Sequence, residues 1–187
     1  MLEVELKYPI ADASAIEAAL CRLGAEVLET RDDVDHYFSA PDRNFATTDE
    51  AVRVRQSGEQ NALTYKGPKL DAETKTRQEI EVPLAPGAAV AELAVRWLRA
   101  IRYHPVAEVR KRRRRFRLSC QEFTVELCLD AVDHLGHFLE LEILADEPNI
   151  PRARTVLLEL AAILGLQKPE RRSYLQLLQE RKNSCLA

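Results

Sequence analysis

The chain has only four cysteines, Cys21, Cys120, Cys128 and Cys185, and no two stand in a C-x-x-C pair. That spacing excludes a zinc knuckle and a dithiol redox motif, and points to free thiols in a reducing compartment. Long hydrophobic runs are missing too. The longest, Leu157 to Leu166, is interrupted by Glu159 and is too short to cross a bilayer. The first residues, Met1-Leu2-Glu3-Val4-Glu5-Leu6-Lys7, are acidic where a secretory leader would be apolar. Cys185 stands third from the end, so a prenylation box is missing. Neither charge dominates: 27 Lys and Arg against 30 Asp and Glu leave a net −3. That balance argues against a globally basic nucleic-acid binder. Together the absences predict a cytoplasmic protein with no nucleic-acid partner and no membrane attachment.

What is present is an ordinary globular composition, 46% apolar and 30% charged over 187 residues. At roughly 150 residues per domain this is one domain, able to bury a core without disulfide or metal staples. No low-complexity linker divides it, so residues 1–187 are read as a single domain. Ile16, Ala19, Leu20 and Leu23 carry helical spacing, with Ser14 and Glu17 as a capping box and Gly24 as the stop. Val90, Leu93, Ala94, Trp97 and Ile101 repeat the spacing, as do Val156, Leu160, Ile163 and Leu164 between Pro151 and Gly165. A short helix over about 173–181 is also predicted. The remainder reads as strands, roughly 2–9, 32–38, 51–57, 62–66, 76–83, 106–117, 122–132 and 137–145. The expected class is α+β: an eight-stranded antiparallel β-barrel with helices packed outside. A weak internal echo, three strands and a helix twice over, suggests a pseudo-twofold pair of meanders.

The strands carry charge at period two. Glu3, Glu5 and Lys7 share one face while Leu2, Val4, Leu6 and Tyr8 share the other. The same alternation sets Glu126 and Asp130 against Val125, Leu127 and Leu129, and Glu140 and Glu142 against Leu139, Leu141 and Ile143. Arg53 and Arg55 oppose Val52 and Val54; Arg77, Glu79 and Glu81 oppose Ile80 and Val82. Lys111, Arg113, Arg115 and Arg117 share a further face, and Lys66 joins the bases. A solvated sheet face would explain any one strand. Repetition argues otherwise. Residues i and i+2 lie about 6.5–7 Å apart, so Glu-x-Glu and Arg-x-Arg place like charges side by side, which costs energy unless an opposite charge intervenes. Clustered carboxylates suit a hard cation such as Mg²⁺ or Mn²⁺. Clustered Arg and Lys suit phosphate oxygens. A metal-bound polyphosphate satisfies both. The apolar faces must then pack outward on the helices, leaving a wet, charge-lined tunnel, the reverse of a small barrel filled by apolar side chains.

These residues resemble the CYTH family, which includes class IV adenylyl cyclases and thiamine triphosphatases. Glu3-Val4-Glu5-Leu6-Lys7 is similar to its E-x-E-x-K signature, and ordered matches follow along the whole chain. They include Asp35-His36-Tyr37-Phe38, Ala51-Val52-Arg53-Val54-Arg55, Leu63-Thr64-Tyr65-Lys66-Gly67-Pro68 and Thr76-Arg77-Gln78-Glu79-Ile80-Glu81. Val109-Arg110-Lys111-Arg112-Arg113, Leu129-Asp130-Ala131-Val132, Leu135 to Glu142 and Ser173-Tyr174-Leu175 complete the set. The stretch from Asp35 to Glu81 is most similar to the class IV cyclase branch. The resemblance implies a triphosphate tunnel fold binding ATP or another triphosphate with a divalent metal, and a homodimer. On it, Glu3, Glu5, Asp130, Glu140 and Glu142 are the expected metal ligands. Arg53, Arg55, Lys66, Arg77, Lys111 and Arg113 form the expected phosphate clamp. Glu79 and Glu81 either bind metal or orient arginines. Lys7 either holds a phosphate or serves as the base that deprotonates the nucleophile. Three activities fit: an adenylyl cyclase, a triphosphatase acting on inorganic or thiamine triphosphate, and a non-catalytic polyphosphate or nucleotide binder.

Overall fold

The computed structural model describes residues 2–70 and 76–184. Eight antiparallel strands form one sheet: β1 (Leu2–Ile10), β2 (Glu26–Ser39), β3 (Ala51–Ser57), β4 (Gln60–Lys66), β5 (Glu79–Leu84), β6 (His104–Cys120), β7 (Phe123–Val132) and β8 (Gly136–Ala145). Five helices accompany them: α1 (Ala13–Arg22), α2 (Phe45–Thr48), α3 (Ala88–Ala100), α4 (Ile150–Ile163) and α5 (Tyr174–Ser184). The strand order is β1-β8-β7-β6-β2-β3-β4-β5. Two four-stranded meanders therefore meet where β2 pairs β6, from Glu26↔Arg117 to Ser39↔His104. This is the predicted pseudo-twofold, with β1 completing the second half. Among the described residues one bridge, Glu3↔Arg77, joins the two edges of the curled sheet.

The expected eight strands with outward apolar faces are present. Val4, Leu6, Phe116, Leu127, Leu139 and Leu141 turn away from the charged face and pack under α1 and α4 on Leu20, Val156, Leu157 and Leu160. On the other half Phe38, Val52 and Val54 meet Ala91 and Leu98 of α3. A fully buried aliphatic or aromatic side chain stabilises by roughly 1.5–3 kcal/mol, so the sheet is held from its convex side and its charged side need contribute no core.

Three local expectations change. The cap of α1 is Asp12, not Ser14: its carboxylate accepts from the Ala15 N–H at 2.9 Å, and Gly24 takes φ +80° at the stop as predicted. On α3 the stripe Leu93, Trp97 and Ile101 is exposed. The small residues Ala91 and Ala94, with Val95 and Leu98, form the buried face instead, because they let the helix approach β3 and β4 closely. Finally, α5 does not lie outside the sheet. Tyr174 and Leu178 pack on Tyr37, Val109, Val132 and Phe138. Those four share the strand face of Asp35, Lys111, Asp130 and Glu140. The inner face turns apolar at that end of the sheet, and α5 closes it.

Candidate functional site

The charged strand faces converge on one cavity of about 180 Å³. Thirteen of the predicted residues line it: Glu3, Glu5, Lys7, Arg53, Arg55, Lys66, Arg77, Glu79, Glu81, Lys111, Arg113, Glu140 and Glu142. Asp130 does not. It lies fully buried behind the wall, where its two oxygens take Arg113 Nε and Nη2 at 2.7 and 2.6 Å and the Tyr174 hydroxyl at 2.9 Å. Arg115 and Arg117, read as facing the same way, pair instead at the rim with Glu126 and Glu29, and with Glu26.

Register decides which charges meet. Arg55 opposes Asp35, Lys111 opposes Asp33, Lys66 opposes Glu79, Arg113 opposes Asp130 and Lys7 opposes Glu140. Opposite charges at facing positions stabilise a sheet. Asp35, 1% exposed, is the hub of the basic wall. It accepts from Arg55 at 2.6 and 2.8 Å and from Arg53 at 3.3 Å, with Lys111 Nζ 3.8 Å away. Burial would push its carboxyl up, but Arg53, Arg55 and Lys111 outweigh it and hold the group well below the usual carboxylate range. Asp33 is held down in the same way against burial, by Arg55 and Lys111.

Two places break the pairing. One is a row of acids, Glu5↔Glu142↔Glu126, on adjacent strands. Carboxylate oxygens of Glu3, Glu5 and Glu142 all lie within 4.8 Å of one another. The Glu142 carboxylate makes no hydrogen bond or ion pair among the described residues. Burial, then Glu3, pushes its carboxyl well above the ordinary value, and burial raises Glu3 as well. Three hard oxygen donors with one charge uncompensated fit a divalent cation of the Mg²⁺ or Mn²⁺ kind. The other place is basic. Arg31 faces Arg113 across β2 and β6, and Arg55 stands near enough to Lys111 to affect its charge. Lys111 is pushed down to about 8 by burial, then by Arg113 and Arg55. Packed cations of this kind are what an anion with several oxygens relieves.

Lys7 and Glu140 are committed within the fold. Lys7 Nζ donates to the Arg172 carbonyl at 2.6 Å and sits 3.9 Å from the Tyr174 ring centre. Glu140 accepts from Arg113 Nη2. Lys66 pairs with Glu79 at 2.5 Å and lies 3.7 Å from Glu3.

Chain-wide likeness carries this arrangement further. A model of the CYTH domain matches residues 1–174. The chain belongs to the CYTH family. It is 33% identical over 180 residues to "Putative adenylate cyclase MJ0240" of Methanocaldococcus jannaschii, covering 95% of this chain and 98% of that one. Adenylate cyclase CyaB of Aeromonas hydrophila is 32% identical over 184 residues, covering 95% of this chain and 89% of that one. The solved structure of PH1819 from Pyrococcus horikoshii OT3 superposes with a TM-score of 0.84 at 35% identity, over 96% of this chain and 99% of that one. Among the described residues of this CYTH protein no helix is long and apolar enough to cross a membrane.

Several tunnel residues have no site role in the sequence reading, although Asp35, Tyr37, Ser173 and Tyr174 stand in its family motifs. Arg31, Asp33, Asp35 and Tyr37 alternate along β2 and hold or line the basic wall. Their period-two alternation is a signal in the sequence, but a strand predicted only from residue 32 leaves out Arg31 and shows less of it. Tyr174 and Ser173 also line the cavity, and no periodicity marks them.

Proposed function

We propose that this CYTH protein is a metal-dependent enzyme that converts ATP to cyclic AMP and pyrophosphate in the tunnel. The observation that carries the reading is the meeting of two walls in one cavity: the carboxylates of Glu3, Glu5 and Glu142 face the bases Arg53, Arg55, Lys66, Lys111 and Arg113. Two relatives named as adenylate cyclases, one of them as a putative one, at 33% and 32% identity, support the cyclase reading.

Arg53 and Arg55, fixed by Asp35, and Arg113, fixed by Asp130, present guanidinium groups to the phosphate oxygens without reorganising when substrate arrives. Glu3, Glu5 and Glu142 would hold Mg²⁺ or Mn²⁺, which supplies charge neutralisation to the phosphate oxygens. The ribose 3′-oxygen attacks the α-phosphorus, the bond from that phosphorus to the bridging oxygen breaks, and pyrophosphate leaves. The 3′-hydroxyl proton passes to water in the tunnel, and Lys111, packed beside Arg113 and Arg55, adds its charge to the phosphate clamp. Arg113 and Arg55 stabilise the charge that grows on the leaving group.

The test is to offer ATP, GTP, inorganic triphosphate and thiamine triphosphate with Mg²⁺ and with Mn²⁺, and to read all products by mass spectrometry. Cyclic AMP is expected from ATP. Orthophosphate without cyclic product would make the protein a triphosphatase. Binding without turnover would make it a polyphosphate or nucleotide binder.

A further inference from the structure

α3 packs on β3 and β4 through Ala91, Ala94, Val95 and Leu98. Beside that contact a cleft of about 440 Å³ lies between the helix and the outer face of β2 and β6. Register builds its floor. Gln56 opposes Val34 across β3 and β2, and Val34 opposes Arg110 across β2 and β6. These side chains point away from Asp33 and Asp35, so the cleft is on the far side of β2 from the basic wall. No residue lines both the cleft and the tunnel. The flank of α3 above it carries Ala88, Glu92, Val95, Arg96 and Arg99, spaced i, i+4, i+7, i+8 and i+11 on one stripe.

The chemistry of the cleft is graded along that stripe. Val34, Ala88, Ala91 and Val95 give small apolar walls, while Arg96, Arg99 and Arg110 supply guanidinium groups. Arg110 is committed. Its Nε donates to Glu108 at 2.6 Å, and the same carboxylate lies 3.2 Å from His36 Nδ1. The Arg96 and Arg99 guanidiniums make no hydrogen bond or ion pair among the described residues. The Glu92 carboxylate makes none either, and stands one turn nearer the start of α3 than Arg96. Two free cations against one free anion leave the arginine end net positive. Guanidiniums at i and i+3 share a helix face, and each presents paired N–H donors that match the oxygens of a carboxylate or phosphate. The volume is that of a small-molecule site, and apolar walls with a few charged groups are the composition of one.

We propose that this cleft binds a small organic anion, with its carboxylate or phosphate head on Arg96 and Arg99 and its apolar body on Val34, Ala88 and Val95. The protein then has a second ligand site, separate from the tunnel and from the reaction proposed there.

The test titrates 2-naphthoate and 1-naphthyl phosphate into the full chain by calorimetry, with and without excess inorganic triphosphate. Controls are 2-naphthol, which lacks the anionic head, and inorganic phosphate, which lacks the apolar body. At least one of the two anions should bind one-to-one with Kd below about 1 mM, equally well with triphosphate present, and both controls at least tenfold more weakly. Whichever anion binds more tightly identifies the preferred head. Two variants at exposed positions probe the two ends of the cleft. Arg96→Gln combined with Arg99→Gln removes the free cations, and Ala88→Trp fills the apolar end. Each should weaken the bound anion at least tenfold. No binding of either anion overturns the proposal. Loss of binding when triphosphate is added places the probe in the tunnel and overturns it too. Unchanged affinity in either variant does the same.

Discussion

Replacing Lys111 by Met should make the protein more stable and less able to bind triphosphate. Lys111 is 4% exposed, and burial with the nearby Arg113 and Arg55 brings it from 10.5 down to about 8. At pH 7 it is therefore held protonated against its surroundings. Each pKa unit is worth about 1.36 kcal/mol, so the charged state is disfavoured by as much as about 3 kcal/mol relative to the unfolded chain. The ion pairs that Met would remove are long, 3.9 Å to Asp33 and 3.8 Å to Asp35. Each carboxylate keeps one close cation, Asp33 through Arg31 on Oδ1 at 3.0 Å and Asp35 through Arg55 at 2.6 Å, while the buried Asp33 Oδ2 has no hydrogen bond to lose. Met fills much of the lysine's volume, so the cavity penalty is small. A gain of about 2–3 kcal/mol should raise Tm by about 5 °C or more in a chain of this size. The pH dependence supplies the sign. The folded pKa lies below the unfolded one, so between about 8 and 10.5 the unfolded state binds more protons. Wild-type stability must therefore rise over that window and meet the variant's at its upper end. Urea titrations of both proteins at pH 7, 8.5 and 10 measure this. A variant less stable than wild type at pH 7, or a difference that does not shrink toward pH 10, would refute the reasoning.

Glu142→Gln should lower Mn²⁺ affinity at least tenfold in calorimetry while metal-free binding of inorganic triphosphate is kept or improved, since one carboxylate of the Glu3, Glu5 and Glu142 cluster is gone. The wild-type Glu142 carboxyl is raised by burial and Glu3, so the metal-free protein should gain stability as pH falls through that raised value, and the variant should lose much of that dependence. Tyr174→Phe leaves the fully buried Asp130 one donor short; a loss of about 1–3 kcal/mol is expected in denaturant melts. Phe116→Ala opens the convex core under α4, 0% exposed in the folded chain. It should cost about 3–5 kcal/mol in urea unfolding, with triphosphate affinity unchanged at temperatures where the variant is folded.

The strand faces were legible because a period of two has one meaning in an extended chain: Glu3 and Glu5 point where Val4 and Leu6 do not. That alternation, repeated on five strands, was enough to predict a charged interior and an outward apolar face. It could not say how the strands line up. The acid row Glu5, Glu142 and Glu126 and the pairs Arg55–Asp35 and Arg113–Asp130 exist only through register between segments far apart in sequence. Asp130 shows the consequence. Its parity is that of a tunnel residue, yet the depth of the strand and the reach of Arg113 bury it behind the wall. The sequence marks β2 only from residue 32, because Glu26 to Thr30 pair with β6 at a rim where no hydrophobic alternation is demanded. For α5, an amphipathic pattern names a buried stripe and not the sheet face that buries it. The apolar inner residues Tyr37, Val109, Val132 and Phe138, which decide the matter, lie on four different strands.

Seven strand pairs are joined by ladders, while among the described residues the two outer edges share one isolated bridge, Glu3 to Arg77. The sheet is thus a sleeve with a seam, and breathing motions should begin there. Glu3 belongs to that seam and to the carboxylate trio at once. Anything gripping those oxygens also buttons the sleeve, so occupancy should slow amide hydrogen exchange along β1 and β5 far from the bound atoms.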